Sequence, residues 1–217
     1  MSLKLYGYWR SSATYRVRIA LNLKQLDYEI IPVHLVQDGG QQHSKNYQGL
    51  NPAELVPTLY DDDEDIILNQ SLAIIEYLDE RYEQGTNLLP PHSLERARVR
   101  TLAYDIACDI QPLANLRVMN YIGEHYQLEQ EGKFEWARHW MQKGMQGIEK
   151  RLQKTATDYC FGFDLSLADV CLIPQVYNAN RVGLDMSAFP VIDRVYQNCI
   201  SLPAFAKAIP ENQPDAE

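Results

Sequence analysis

Two serines lie near the start of the chain, where a predicted strand ends and a predicted helix begins. Ser11 and Ser12 follow the alternating residues 3–7 and precede a helical spacing of apolar side chains. A hydroxyl at a helix N-terminus lies in the positive field of the backbone and can donate a hydrogen bond to an anion. A thiolate is such an anion and is the nucleophilic form of sulfur. The alternative interpretation is that both serines only cap the helix.

A second junction of this kind lies at Gln70 and Ser71, which open another helical pattern. The first backbone amides of that helix and the Ser71 hydroxyl suit a carboxylate. A capping role for Ser71 does not exclude this, because a backbone amide can bind a ligand while the side chain caps the helix.

Two arginines are candidates for binding a carboxylate. Arg16 lies one turn into the first helix, and Arg181 ends a long apolar helical pattern. Arginine binds carboxylates in a bidentate way, although a lone arginine is more often a surface or structural residue. Tyr6 and Tyr8 could also donate to an anion, but they stand within the predicted strand. The five histidines form no cluster in the sequence, and none is predicted to be a general base.

The elements that position these residues follow the order β-α-β-loop-β-β-α in the first part of the chain. Strands are predicted at 3–7 and 28–35, and a hairpin at 56–60 and 66–68. The acidic run 61–65 reads as a solvated hairpin turn. This pattern predicts an α/β domain over residues 1–83, followed by a linker over 84–92.

The strand patterns then stop, which predicts an all-helical domain over residues 93–217. One long helix is expected from about 95 to 126, bent near Pro112, and another from 136 to 154. Ser166 and Asp169 have the spacing of a capping box at the start of an apolar helix. Shorter helices are expected at 190–201 and 203–209, and residues 214–217 are expected to be a frayed tail.

Composition narrows the class of protein. Among 217 residues, 20 Lys and Arg stand against 29 Asp and Glu, a net charge of −9, which disfavours a nucleic-acid binder. No apolar stretch approaches the ~18 residues of a membrane span, and the N-terminus carries no secretion signal pattern. The four cysteines lack CxxC or zinc spacing, so we expect reduced, mostly buried thiols in a cytoplasmic protein without a metal.

The segment Ser-Ser-Ala-Thr-Tyr-Arg-Val-Arg-Ile-Ala-Leu, residues 11–21, resembles the signature loop and first helix of zeta-class glutathione transferases. Further segments extend the resemblance over nearly the whole chain, at 38–42, 50–52, 56–59, 69–78, 110–116 and 172–179. The resemblance implies a thioredoxin-like α/β N-terminal domain, an all-α C-terminal domain that completes the substrate site, and a homodimer. Together these form the glutathione transferase fold.

The resemblance also implies a role for each candidate residue, with glutathione as the cofactor. Ser11, or else Ser12, holds the glutathione thiolate, and Arg181 is expected to bind a small dicarboxylate substrate. Arg16 is expected to bind the same substrate on its charge and position alone. Val56 is expected to pair its backbone with glutathione beside a cis Pro57, an ordinary trans proline being the alternative. The remaining glutathione contacts are Gln42, Gln70, Ser71, Gln111 and Asn115.

The implied reaction is the glutathione-dependent cis–trans isomerisation of maleylacetoacetate to fumarylacetoacetate in tyrosine and phenylalanine catabolism. One departure stands out, because Ala13 occupies the place of the family's usual cysteine. This keeps open maleylpyruvate isomerisation, or glutathione transfer to small α-halo acids. A binding protein for glutathione or an apolar ligand, without catalysis, is the alternative of another class. Dithiol exchange is excluded because the first domain contains no cysteine.

Overall fold

The computed structural model describes residues 2–217, which form two compact units. The first unit comprises residues up to Leu88 together with Leu202–Glu217, and the second comprises Leu89–Ser201. The expected bounds placed residues 202–217 with the helical domain. The structure instead groups them with the first unit, because the helix at Pro203–Ala208 packs against the helix at Ser12–Leu23.

The first unit is an α/β domain around a four-stranded sheet. Its strands are β1 (Leu3–Gly7), β2 (Tyr28–Pro32), β3 (Thr58–Asp61) and β4 (Ile66–Asn69), in the order β2-β1-β3-β4. β1 is parallel to β2 and antiparallel to β3, and β3 and β4 form the predicted hairpin. The helices are α1 (Ser12–Leu23), the short α2 (Lys45–Gln48), α3 (Ser71–Arg81) and α9 (Pro203–Ala208).

The core of this unit follows from the alternation along β1 and the apolar faces of α1 and α3. Leu5 is fully buried and pairs with Ile30 on one side and Leu59 on the other. α1 packs against α3, which buries Val17 and Ile74. This packing fixes the positions of the N-terminal ends of both helices, where the candidate residues Ser11, Ser12 and Ser71 lie.

The second unit is built of helices, as expected. They are α4 (Ser93–Tyr104), α5 (Leu116–Tyr126), α6 (Gln130–Thr155), α7 (Leu167–Arg181) and α8 (Pro190–Ile200). Nearly all of α7 is buried, and the predicted capping box at Ser166 and Asp169 opens it. The fold class predicted from the sequence is confirmed.

The long helix expected over 95–126 is interrupted rather than bent. After α4 the chain forms a π-helical turn at Asp105–Ile110 and a 3₁₀ turn at Gln111–Ala114. Pro112 has no N–H to continue the helical hydrogen bonds, and Asn115 caps a new helix by accepting from the backbone N–H of Val118 at 3.1 Å. The break places Gln111 and Asn115 on one irregular turn.

The acidic run is only partly a solvated turn. Asp62 to Asp65 are exposed, but Asp61 is fully buried at the end of β3. Its Oδ2 accepts hydrogen bonds from the hydroxyls of Tyr77 at 2.8 Å and Tyr82 at 2.7 Å. Burial alone would raise the pKa of Asp61, but these hydroxyls and nearby backbone amides hold that pKa below its usual value.

Candidate active site

Ser11 caps α1 and remains partly accessible. Its Oγ accepts a hydrogen bond from the backbone N–H of Thr14 at 3.2 Å, and its own N–H donates to the Tyr8 carbonyl at 3.0 Å. Capping uses a lone pair of Oγ, so the hydroxyl hydrogen can still be donated to a ligand. Ser12 lies on the first turn of α1 and is also half-buried. The capping role and the anion-binding role are therefore compatible at Ser11.

Gly7 lets the serine loop approach the sheet. A Cβ at this position would lie 2.3 Å from Cγ2 of Thr14, which is buried in the first turn of α1. Any larger residue would push α1 away from the end of β1. The glycine therefore fixes how closely Ser11 follows the strand.

The Val56–Pro57 bond is cis, as predicted, and stands directly before β3. The preceding carbonyl of Leu55 accepts hydrogen bonds from the Tyr47 hydroxyl and the Asn51 amide, both at 2.7 Å. Val56 is half-buried and lies outside the ladder, which begins with the pair Tyr6 and Thr58. Pairing of the Val56 backbone with a ligand stays a prediction.

Gln70 and Ser71 lie at the N-terminus of α3 in the first unit. Gln70 has a positive φ of 72°, a conformation that non-glycine residues adopt at a cost and that recurs at binding sites. Ser71 begins α3, and its Oγ accepts a hydrogen bond from Arg16 Nη1 at 2.8 Å. The helix end and the arginine place positive charge at the same point.

Arg16 is not placed as the sequence analysis expected. Its side chain is buried, with only 3% of the residue exposed, and its guanidinium contacts Ser71 between α1 and α3. A substrate carboxylate binds arginine through an accessible guanidinium, so the expected substrate-binding role does not fit this position. The sequence shows that Arg16 is a cation, but it does not predict that the side chain is buried, because this burial depends on the packing of α3.

Gln42 lies on a 3₁₀ turn, Gln41–His43, and is 8% exposed. Its Nε2 lies 3.5 Å from the Leu35 carbonyl and 2.9 Å from His43 Nε2. Its Oε1 is buried and has no hydrogen-bond partner among the described residues 2–217. Gly40 has a φ of 100°, and a Cβ there would lie 2.5 Å from Gln42 Nε2. The turn thus holds a buried acceptor that suits an N–H of a ligand.

The remaining predicted residues belong to the second unit. Gln111 and Asn115 are both half-buried on the turn between α4 and α5. Arg181 is exposed at the end of α7, and its Nε and Nη2 donate to Asn178 Oδ1 at 3.1 and 2.9 Å. Asn178 thus orients the guanidinium at the exposed end of α7, and binding of a carboxylate by Arg181 stays a prediction.

Arg10, which directly precedes Ser11, is a cation that the sequence motifs did not single out. It is exposed, and its guanidinium lies 5.0 Å from the centre of the Trp9 ring. This distance is within the range of a cation–π contact. Its position beside the serine loop could have indicated a role in anion binding, because a cation there adds to the positive field of the α1 N-terminus.

The cysteines offer no catalytic alternative. Cys160, Cys171 and Cys199 are buried and Cys108 is exposed, and the described residues contain no disulfide. Burial raises the pKa of Cys160 and of Cys199, and the Asp169 carboxylate raises both further. Asp169 is held by the capping box and the Cys160 N–H. The Cys160 and Cys199 thiols therefore stay protonated and structural.

Together, the mixed four-stranded sheet, the cis proline and the polar loops at two helix N-termini define a thioredoxin-like domain suited to an anionic thiol ligand. Residues 5–86 match the family model of the glutathione S-transferase N-terminal domain. A probable maleylacetoacetate isomerase from Vibrio cholerae is 56% identical over 216 residues, which cover 100% of this chain and 99% of that relative. The chain belongs to the zeta class of glutathione transferases, the family of the maleylacetoacetate isomerases.

Solved structures agree over the full length. A zeta-class maleylpyruvate isomerase in its holo form superposes with a TM-score of 0.93 at 38% identity, covering 99% of this chain and 100% of the other. A maleylacetoacetate isomerase from Methylobacterium extorquens, solved with malonate and glutathione bound, gives 0.92 at 41% identity and covers 99% of both chains. Among the described residues, no helix is both long and apolar enough to cross a membrane.

Proposed function

We propose that the protein is a glutathione-dependent maleylacetoacetate isomerase acting in tyrosine and phenylalanine catabolism. The observation that carries this is the Ser11 loop, where a capping hydroxyl keeps its hydrogen available at the N-terminus of α1. Relatives that share the whole length of the chain bear the name of this activity. A cytoplasmic location is part of the proposal, because the cysteines form no disulfide among the described residues. A homodimer is proposed on the family resemblance.

Glutathione fits the residues of the first unit on three observations. Ser11 offers a hydroxyl donor to the thiolate, and Gln42 Oε1 is a buried acceptor without a protein partner among residues 2–217. Ser71 joins a helix N-terminus to the buried Arg16, which suits the γ-glutamyl carboxylate. We assign further contacts to the Val56 backbone beside Pro57, to Gln70 and, from the second unit, to Gln111 and Asn115.

Bound glutathione supplies a thiolate that adds reversibly to the substrate's cis double bond, so that the bond can rotate before the thiolate leaves. Ser11 Oγ–H donates to the sulfur and lowers the free energy of its deprotonated form. The N-terminus of α1 adds a partial positive charge at the same place. We assign Arg181 to a substrate carboxylate, as the resemblance to the family implies.

A coupled assay tests the proposal with the purified protein, maleylacetoacetate, and glutathione present or omitted. We expect turnover only with glutathione. Absence of turnover while glutathione still binds would overturn the isomerase assignment and support a binding protein.

Maleylpyruvate isomerisation is the second candidate, because a maleylpyruvate isomerase superposes with a TM-score of 0.93 and Ala13 replaces the family's usual cysteine. The ratio of kcat/KM for the two substrates, with an α-halo acid as a third, decides between the candidates. A larger kcat/KM for maleylpyruvate would move the assignment to that substrate.

A further inference from the structure

The end of the chain is ordered against the serine loop. Residues 209–217, here named the C-terminal segment, follow α9 and were expected to fray from Pro214 onward. Instead, the buried Gln213 donates from Nε2 to the carbonyls of Lys207 at 3.0 Å and Ile209 at 2.8 Å. Asp215 then accepts a hydrogen bond from the backbone N–H of Trp9, at 3.0 Å from Oδ2. The segment is therefore fixed on the first unit by specific hydrogen bonds.

Both peptide groups that flank Trp9 form hydrogen bonds. Its N–H donates to Asp215, and its carbonyl accepts from Arg18 Nη2 at 2.8 Å. Arg18 is 1% exposed, and its Nε donates to the carbonyl of Ala208 at the end of α9. The chain's C-terminal part thus contacts the loop directly through Asp215 and indirectly through Arg18.

These contacts lie two residues from the proposed thiolate donor. The Ser11 N–H donates to the Tyr8 carbonyl, so the backbone from Tyr8 to Ser11 forms one closed turn. The peptide that joins Tyr8 to Trp9 is the one whose N–H Asp215 accepts. A rotation of that peptide would shift the Tyr8 carbonyl, and with it the Ser11 backbone.

The last residue contacts the loop that leads to Gln42. Glu217 Oε1 accepts from His34 Nε2 at 3.0 Å and from Gln37 Nε2 at 2.9 Å. His34 Nδ1 accepts backbone N–H groups of Val36 and Gln37, which leaves Nε2 as the protonated nitrogen. Glu217 is half-exposed, so this contact is weaker than that of Asp215.

We propose that Asp215 is a positioning residue for catalysis, which holds the Trp9 peptide so that the Ser11 hydroxyl is aimed at the glutathione sulfur. Because the Asp215 Oδ2 accepts the hydrogen bond from the Trp9 N–H, it selects one orientation of that N–H. Small displacements of a catalytic donor lower turnover steeply, whereas binding spread over many contacts changes less. The inference rests on the proposed glutathione-dependent function.

The test compares Asp215→Ala and Asp215→Asn with the wild type in the full-length protein. We expect Asp215→Ala to lower kcat about tenfold, with KM for glutathione changed less than about threefold, and to raise the pKa of the bound thiol. Asp215→Asn keeps an acceptor oxygen and is expected to restore most of kcat. Asp193→Asn is the matched control and should change none of these, because Asp193 is an exposed acid on α8 that accepts from Gln197 Nε2 at 3.3 Å.

A second readout needs no ligand. Amide hydrogen exchange at Trp9 and Ser11 should accelerate in glutathione-free Asp215→Ala and stay near the wild-type rate in Asp215→Asn. If Asp215→Ala does not fold, Asp215→Ser replaces it, because its shorter side chain does not span the 3.0 Å contact. Unchanged exchange, or equal losses of kcat in all Asp215 variants at constant thiol pKa, would overturn the proposal. Wild-type protein that binds glutathione without isomerising would overturn only the proposed function, since exchange and thiol pKa still test Asp215.

Discussion

Replacing Ser11 by alanine should remove two separable interactions. The first is the helix cap, in which Oγ accepts the Thr14 N–H at 3.2 Å, and its loss should lower the free energy of unfolding by about 1 kcal/mol. The second is the hydrogen bond that the hydroxyl donates to the thiolate, which is worth about 1.5–3 kcal/mol because its acceptor is charged. The first loss changes stability alone, and the second changes the chemistry of the bound ligand.

The loss of the hydrogen bond to the thiolate can be measured as a change in the pKa of the bound thiol. Since one pKa unit corresponds to 1.36 kcal/mol, the pKa of the glutathione thiol should rise by roughly 1–2 units in Ser11→Ala. At a pH below the pKa of the wild-type bound thiol, the thiolate fraction, and with it kcat, then falls about tenfold to a hundredfold. Affinity for glutathione should change less, because its other contacts remain.

The assay follows the ultraviolet absorbance of the bound thiolate against pH, together with kcat, KM for glutathione and urea unfolding. Ser12→Ala is the control, since Ser12 lies on the same helix turn but does not cap it. If Ser12→Ala raises the thiol pKa and Ser11→Ala does not, the thiolate donor is Ser12. If neither variant changes it, backbone amides hold the thiolate and the reasoning from the serine hydroxyl is refuted.

Three further predictions follow from the structure. Ala13→Cys should leave kcat/KM for isomerisation within roughly tenfold, or about 1.4 kcal/mol, and a larger gain in the coupled assay would show that the sulfur takes part. Arg16→Gln should raise KM for glutathione about tenfold with kcat nearly unchanged, whereas an unchanged KM in steady-state kinetics would contradict its place behind Ser71. Asp61→Asn should lower the free energy of unfolding by about 1.5–3 kcal/mol at neutral pH. The pKa of Asp61 is lower in the folded than in the unfolded state, so its stabilising effect is present above the unfolded-state pKa and is lost as the pH falls through the folded-state pKa. The free energies of unfolding of wild type and variant, measured in urea, should therefore converge in acid.

Local sequence patterns predicted the elements well because those elements depend on local periodicity. The alternation of Leu3 and Leu5, the serine at the start of α1 and the hairpin around the acidic run are all features of a few neighbouring residues. The break after α4 was predicted only in part. Pro112 signalled a bend, but the full interruption depended also on the cap that Asn115 provides for α5.

Two of the errors share a different cause, because each concerns a polar residue whose partner is distant in sequence. Asp61 reads as one more member of a charged run until Tyr77 and Tyr82 cover it, 16 and 21 residues further on. Asp215 stands in a tail rich in polar residues, and its donor, Trp9, is 206 residues away. A single sequence carries no local signal for such pairs, since composition marks both residues as exposed.

The burial of these polar residues also bears on how an acidic protein can bind an anionic ligand. A net charge of −9 would repel a dicarboxylate at long range, but exposed charges are screened beyond about 8 Å at physiological ionic strength. Part of the acidic excess is also engaged within the first unit, since Asp61 is covered by tyrosines and Glu64 pairs with Arg81 at 2.7 Å. The buried Arg16 is screened far less, and it reinforces the N-terminus of α3 at Ser71. Local potential at the helix ends, rather than net charge, therefore decides whether the ligand binds.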